Sequence, residues 1–192
     1  GGHSGNSTNV FKLFCNLEGT DTLGSRRLAC EQERMAVDAS GLPMQLAKYI
    51  NGVGDSDNPI IKLLGGAFGA GLIARVVRGY TFLSRNYTAG DQIFLVGFSQ
   101  GAYTARALAG MVAEQGLLDA TQLDLSDKEA AYRWGSAVWY QYKRSQAGPR
   151  LGMLESFVGD LPGFFSQPLE EHQRVQVPIQ AVAVWDTVGA LG

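Results

Sequence analysis

Histidine is the scarcest chemically useful residue in this chain. His3 and His172 are the only two in 192 residues, so a reaction that needs an imidazole has few candidates. Cysteine is as sparse. Cys15 and Cys30 are too few for a disulfide framework and lack metal-site spacing. Both read as unremarkable thiols, with a single bridge between them the lesser alternative. An excess of one charge is missing too. Lys and Arg number 16 against 18 Asp and Glu, a net charge of −2, so the basic footprint of a nucleic-acid binder is absent. Arg26–Arg27 and Lys143–Arg144 are isolated pairs, read as solvated. No apolar run reaches the roughly 18–20 residues of a membrane helix, and no N-terminal stretch has the form of a signal peptide. Synthesis in the cytoplasm is therefore expected. No Walker A pattern occurs, which excludes a phosphate loop of that kind.

What is present suits a globular α/β protein with tight loops. Apolar residues make up 45%, charged residues 18%, and there are 25 glycines. The length fits a single domain over 1–192. Cap-type residues followed by Val10, Leu13, Phe14 and Leu17 at helical spacing predict a short helix over 7–17. Residues 19–42 are polar and read mostly as loop. A strand is predicted over 44–50, ended by the turn-rich stretch 51–59. Asp55 and Asp57 there lack an EF-hand pattern and read as turn residues. Leu72, Ile73, Val76, Val77, Tyr80 and Leu83 form one face of a helix over 70–86, with Arg75, Arg78 and Arg85 pointing elsewhere. Residues 92–96, QIFLV, read as a strand buried on both faces. A helix follows from Gly101 to Gln115, its Ala102, Ala105 and Ala109 permitting close approach to a sheet. Ser126 to Glu129 fit a capping box, with a helix to about Lys143. Tyr132, Trp139 and Tyr142 on it read as core. Residues 145–177 have no clean period, and 179–186 read as another buried strand ending in Asp186. Strands alternating with helices predict a mostly parallel sheet flanked by helices.

The strand–helix junction at 97–101 reads Gly-Phe-Ser-Gln-Gly. This is the G-x-S-x-G form of a nucleophile elbow, a strained turn that lifts a serine hydroxyl above the sheet. Side chains two residues to either side of Ser99 would crowd the neighbouring backbone, which explains Gly97 and Gly101. The helix start aims N–H groups at a developing oxyanion, with the Gln100 N–H one donor. Gly-His-Ser-Gly at 2–5 is one residue short of the pattern and has no strand before it. A serine nucleophile needs a base, and the base an orienting acid. Asp186 follows the carboxyl end of a predicted strand, as Ser99 does, so both belong to the rim where open parallel sheets bind ligands. A plain turn residue is the alternative for Asp186.

Residues 97–111, GFSQGAYTARALAGM, and 184–192, VWDTVGALG, resemble the catalytic domain of the type VI secretion lipase effector family, an α/β-hydrolase family. Segments 7–14, 50–54 and 78–99 fit it as well. The resemblance implies Ser99 as nucleophile and Asp186 as triad acid of a lipid carboxylester hydrolase needing no cofactor or metal. It also implies a bacterial protein delivered to another cell, with a secretion apparatus and an immunity protein as partners. Gln100 departs from the arginine common at that position, which removes a charge but keeps the backbone donor. The family's opening strand and Asp-Gly-Thr-like loop have no counterpart before Ser7, and its histidine lies beyond the last motif. The resemblance therefore implies a fold incomplete at both ends and a base from outside residues 1–192, which alone would be a poor catalyst.

No catalytic histidine is identified within the chain. His172 precedes the acid, the wrong order for this fold, and sits among Glu170, Glu171 and Arg174. His3 lies in a glycine-rich terminus. Leu161, Phe164 and Phe165 make the stretch at about 147–177 either a lid over a lipid site or a packing loop. The first reading is a serine hydrolase of (phospho)lipid esters. A non-catalytic module that binds lipid or a secretion partner, and an esterase or thioesterase on small soluble substrates, are the alternatives.

Overall fold

The computed structural model describes residues 8–22, 31–51, 67–147, 169–170 and 173–185. Helices and strands are mixed, as expected of an α/β chain. The chain divides into two compact units. One comprises Gly1–Arg75, Phe94–Arg106 and Ala181–Gly192, and the other Val76–Ile93 and Ala107–Gln180.

The first unit opens with helix α1, Asn9–Asn16, where Thr8 is the N-cap and its hydroxyl oxygen accepts the Phe11 N–H at 3.2 Å. The side of α1 that packs carries Phe14, which is buried, and Phe11, with rings 5.6 and 5.0 Å from that of Tyr49. Leu13, predicted to share the buried face, is exposed. Strands β1 (Thr20–Asp21), β2 (Glu31–Val37) and β3 (Pro43–Ile50) form an antiparallel sheet in that order. The strand expected over 44–50 is thus present, whereas 31–37, read as part of a polar loop, form a strand. The reason lies across the sheet. Lys48 of β3 faces Glu33 in register, and its ammonium is 2.8 Å from the Glu33 carboxylate and 2.7 Å from that of Glu31. Charges that read as solvated loop in one dimension become cross-strand partners in three. Arg34 of β2 ties the sheet to α1. Its guanidinium donates to the carbonyls of Cys15 at 2.8 Å and Gly19 at 2.7 Å, and lies 5.9 Å from the Phe14 ring centre.

Helix α2 spans Ala67–Asn86, strand β4 Ile93–Phe98 and helix α3 Gln100–Gln115. The predicted apolar face of α2 holds at Leu72, Val76, Val77 and Tyr80, all buried. Arg75 is buried as well, at 8% exposure, so it does not point away as its charge suggested. β4 pairs with strand β7, Ile179–Trp185. Both runs were expected to be buried on two faces. Instead Ile93, Leu95 and Gly97 of β4 are buried while Phe94 and Phe98 are 59% and 41% exposed, and most of β7 is exposed, Trp185 to 49%. A short apolar run records what a strand can bury, not how many layers cover it.

In the second unit, strand β5 (Leu117–Leu118), helix α4 (Lys128–Ala147) and strand β6 (Arg174–Val175) complete the described elements, with β5 and β6 antiparallel. Tyr80, Met111, Val112, Leu117 and Val138 are almost wholly removed from solvent. The Tyr80 hydroxyl donates to the Gly116 carbonyl at 2.9 Å, and burial raises its pKa. The Ser84 hydroxyl oxygen accepts the Leu118 N–H at 3.1 Å, so these two hydroxyls carried into the core are paired. Gly135 lets α4 approach α2, since a Cβ there would lie 2.9 Å from Thr81 and 3.0 Å from Val77. The cap of α4 is Asp127, whose carboxylate accepts the Glu129 N–H at 2.9 Å and the Ala130 N–H at 3.2 Å. Ser126, the predicted cap, instead donates to Asp124 at 2.6 Å. Trp139 is buried as expected, and Tyr132 and Tyr142 are half-buried.

Candidate active site

Ser99 is, among the described residues, the one non-glycine residue with positive φ, at +53°. A side chain there suffers Cβ–carbonyl crowding that costs roughly 1–2 kcal/mol, so the conformation persists only where the surroundings fix it. The surroundings do fix it. The Ser99 N–H donates to the carbonyl of Trp185, the last residue of β7, at 3.0 Å. The Ser99 carbonyl accepts the N–H groups of Ala102 at 3.0 Å and Tyr103 at 3.3 Å. The serine thus closes β4, opens α3 and is fastened to the end of β7. Its side chain is half-buried, and its Oγ makes no hydrogen bond among the described residues.

Gly97 is sterically required. A Cβ on it would strike the Gly101 carbonyl oxygen and lie 2.5 Å from the Gly101 carbonyl carbon and 2.7 Å from Ala102 Cα. The same account fails for Gly101, where an added Cβ would meet nothing within 4 Å. Crowding at this turn is one-sided. The missing side chain of Gly97 makes room for the backbone at 101, and position 101 itself faces open space. Gln100 is the first residue of α3, so its N–H and that of Gly101 have no acceptor within the helix. Helix geometry leaves these donors directed out of the N-terminus, where the macrodipole favours negative charge.

The structure therefore brings Gly97, Ser99, Gln100 and Gly101 together in one strand–turn–helix. Asp186 is next in sequence to Trp185 and lies outside the described residues, as do His3, His172 and the stretch 148–168 of the expected lid. Two contributors escaped the sequence reading. One is the Trp185 carbonyl, an element of pairing that no local pattern reveals. The other is Thr104, whose hydroxyl donates to the Gln100 carbonyl at 3.0 Å. A threonine four residues after a helix's first position was its sequence signal. Among the described residues no group of three or more His, Cys, Asp or Glu is placed to hold a metal ion, and no helix is long and apolar enough to cross a membrane.

Over 185 residues the chain is 43% identical to an uncharacterized protein of Saccharomyces cerevisiae, covering 96% of this chain and 24% of that relative. The chain thus spans about a quarter of the length of the curated relative it matches, and likeness to it is not confined to bacteria. No solved structure matches. The family described as T6SS, phospholipase effector Tle1-like, catalytic domain matches residues 1–192, elbow included, and the chain belongs to that family.

Proposed function

We propose that the chain carries the nucleophile and acid of a serine hydrolase acting on carboxylic ester bonds of phospholipids. The observation that carries this reading is the backbone of Ser99. A serine at φ +53° between a strand and a helix, fastened by three backbone hydrogen bonds, is strain kept in one place, and strain of that kind clusters where chemistry is done. Family membership supplies the substrate class.

In this reading Ser99 Oγ attacks the ester carbonyl, and the Gln100 N–H receives the developing oxyanion. Asp186 orients a histidine that takes the serine proton and returns it to the leaving alcohol. The histidine comes from outside residues 1–192, and no cofactor takes part. The hydrogen bond from Ser99 to Trp185 supports a shared direction for β4 and β7. Two paired strands whose last residues meet run the same way, as in a hydrolase-like parallel sheet. Asp186 follows Trp185 directly in sequence, which supports giving it the acid's role. Delivery by a secretion apparatus and restraint by an immunity protein belong to the same proposal.

A fluorophosphonate probe applied to the full-length protein tests the nucleophile. Ser99 is expected to be labelled, and Ser99→Ala to abolish both labelling and phospholipid hydrolysis. A labelled Ser99→Ala variant, or one with unchanged hydrolysis, would end the proposal.

A further inference from the structure

We propose that Thr104 is a positioning residue that holds the oxyanion donor of the elbow, an inference that rests on the serine-hydrolase reading above. The first turn of α3 needs such a device. Its second residue is Gly101, which has no side chain, and no heavy atom lies within 4 Å of where a Cβ would be. No side chain of its own therefore helps to hold this residue, and glycine is the residue with the most backbone freedom to lose in a helix. Yet the Gln100 N–H, directed from this turn, has to keep its aim to within a fraction of an ångström to act on an oxyanion.

Hydrogen bonds supply what a side chain at 101 does not. On one side of Gln100, the Ser99 carbonyl accepts from Ala102 and Tyr103, and the Ser99 N–H is held by Trp185. On the other side, the Gln100 carbonyl lies in the peptide unit that leads into Gly101. The Thr104 hydroxyl donates to it at 3.0 Å, in addition to the helical Thr104 N–H bond expected of the i−4 carbonyl. Both peptide units flanking Gln100 are thus anchored through their carbonyl oxygens, and the second anchor is a side chain that can be removed. Thr104 is half-buried and needs no contact with substrate for this role. It acts by limiting the rocking of a glycine-containing turn.

Three variants of the full-length protein test this on a short-chain p-nitrophenyl ester and on phospholipid vesicles. Thr104→Val removes the hydroxyl at almost constant shape, Thr104→Ser restores it, and Ser99→Ala reports on the underlying mechanism. Thr104→Val is expected to lower kcat about tenfold. That is less than the 10²–10³ lost when an oxyanion donor is deleted, because the donor remains and only its aim loosens. KM and the thermal midpoint should stay near their original values, affinity for a boronate transition-state analogue should fall with kcat/KM, and Thr104→Ser should recover most of the loss. Wild-type kcat in Thr104→Val would overturn the proposal. So would equal losses in the Val and Ser variants, or a loss that merely follows a fallen thermal midpoint. If Ser99→Ala is inert while Thr104→Val is fully active, positioning alone is refuted. If Ser99→Ala remains active, the nucleophile reading falls, and this inference falls with it.

Discussion

Tyr80, Met111, Leu117, Leu118 and Val138, all in the unit of Val76–Ile93 and Ala107–Gln180, have almost no contact with solvent, whereas Met44, Leu42, Phe94, Phe98 and Trp185 stand exposed in the unit that holds Ser99. Around the first set Gly135 lets α4 approach α2, Gly116 lies against the Val175 carbonyl of β6, and the Tyr80 and Ser84 hydroxyls are paired, as in a core whose task is to be stable. The unit that holds Ser99 has an antiparallel sheet and a strained serine, and its sheet is held by hydrogen bonds and charges. Strain and uncovered apolar surface fall together in the unit with the candidate chemistry. The most deeply buried large side chains among the described residues fall in the other, where Val175 is exposed. Local stability is not uniform across a chain, and reactive geometry is drawn from the less buried end.

On that division, the largest effects on activity come from the open unit and leave stability alone. Ser99→Ala is expected to reduce ester hydrolysis by about 10⁴–10⁶, with its thermal midpoint unchanged, because no packed atom is lost. Asp186→Asn should cost on the order of 10⁴ in turnover by depriving the base of its orienting acceptor. Turnover on a phospholipid substrate, measured with melting curves on the same preparations, decides both. A loss of only a few-fold for Asp186→Asn would reduce Asp186 to a turn residue.

Stability should respond the other way round. Trp139→Ala, in the closed unit, removes a large ring that is 4% exposed and is expected to destabilise by about 3–5 kcal/mol. Phe94→Ala, at 59% exposure, should cost less than about 1 kcal/mol. Urea unfolding of the two variants is the measurement. Equal losses would mean that Phe94 is covered in the working protein and that the contrast between the units is not intrinsic to them.

The elbow offers a sharper comparison within a single turn. Gly97→Ala places a methyl group against the backbone of Gly101 and Ala102, so the turn has to shift. An overpacking cost of about 1–3 kcal/mol and a turnover loss of roughly 10² are expected, the latter from a misplacement near 1 Å. Gly101→Ala meets nothing within 4 Å and replaces glycine inside a helix, so its stability should be unchanged or higher by up to about 1 kcal/mol. The pair distinguishes two glycines that the sequence motif treats as equivalent.

That difference also shows what could be read in one dimension. The helices were legible because a 3.6-residue period is local, as at Leu72, Val76, Val77 and Tyr80. The strand–turn–helix around Ser99 was legible because strand, serine, glycine and helix follow one another directly. β2 was not, since Glu31, Glu33 and Arg34 resemble loop residues until Lys48, Gly19 and Cys15 are brought to them from elsewhere in the chain. The cap of α4 was missed by one residue because Asp124 and Asp127 both compete for the same short turn, and Asp124 engages Ser126. The exposure of Phe94 and Trp185 was illegible for a different reason. Apolar sequence reports a preference, and coverage depends on what is packed above.

The smallest expected effect concerns acid and the two units alike. Asp38 in the β2–β3 turn has its pKa lowered, first by the Ser40 hydroxyl and next by the Leu42 N–H, bonds of 2.6 and 2.9 Å. In the closed unit Asp119 and Asp124 are lowered in the same way, by Thr121 and Ser126. A carboxylate whose folded pKa is depressed stabilises the fold fully above its unfolded pKa, near 3.9 for aspartate, and that contribution is lost as pH falls through the folded value. All three turns therefore favour folding at neutral pH and lose that support below about pH 4. Because these carboxylates are exposed to water, each contribution is small. Asp38→Ala should lower the urea midpoint slightly at pH 7, and the gap from the parent should narrow as pH drops below about 4. Asp124→Ala should give the same profile although it lies in the other unit, since a turn carboxylate answers to its immediate donors rather than to the packing of the core. A gap that persists undiminished into acid would show that the turn is held by its backbone bonds, Asp38 N–H to the Leu42 carbonyl at 2.8 Å and Gly41 N–H to the Asp38 carbonyl at 3.0 Å, and not by the ionised side chain.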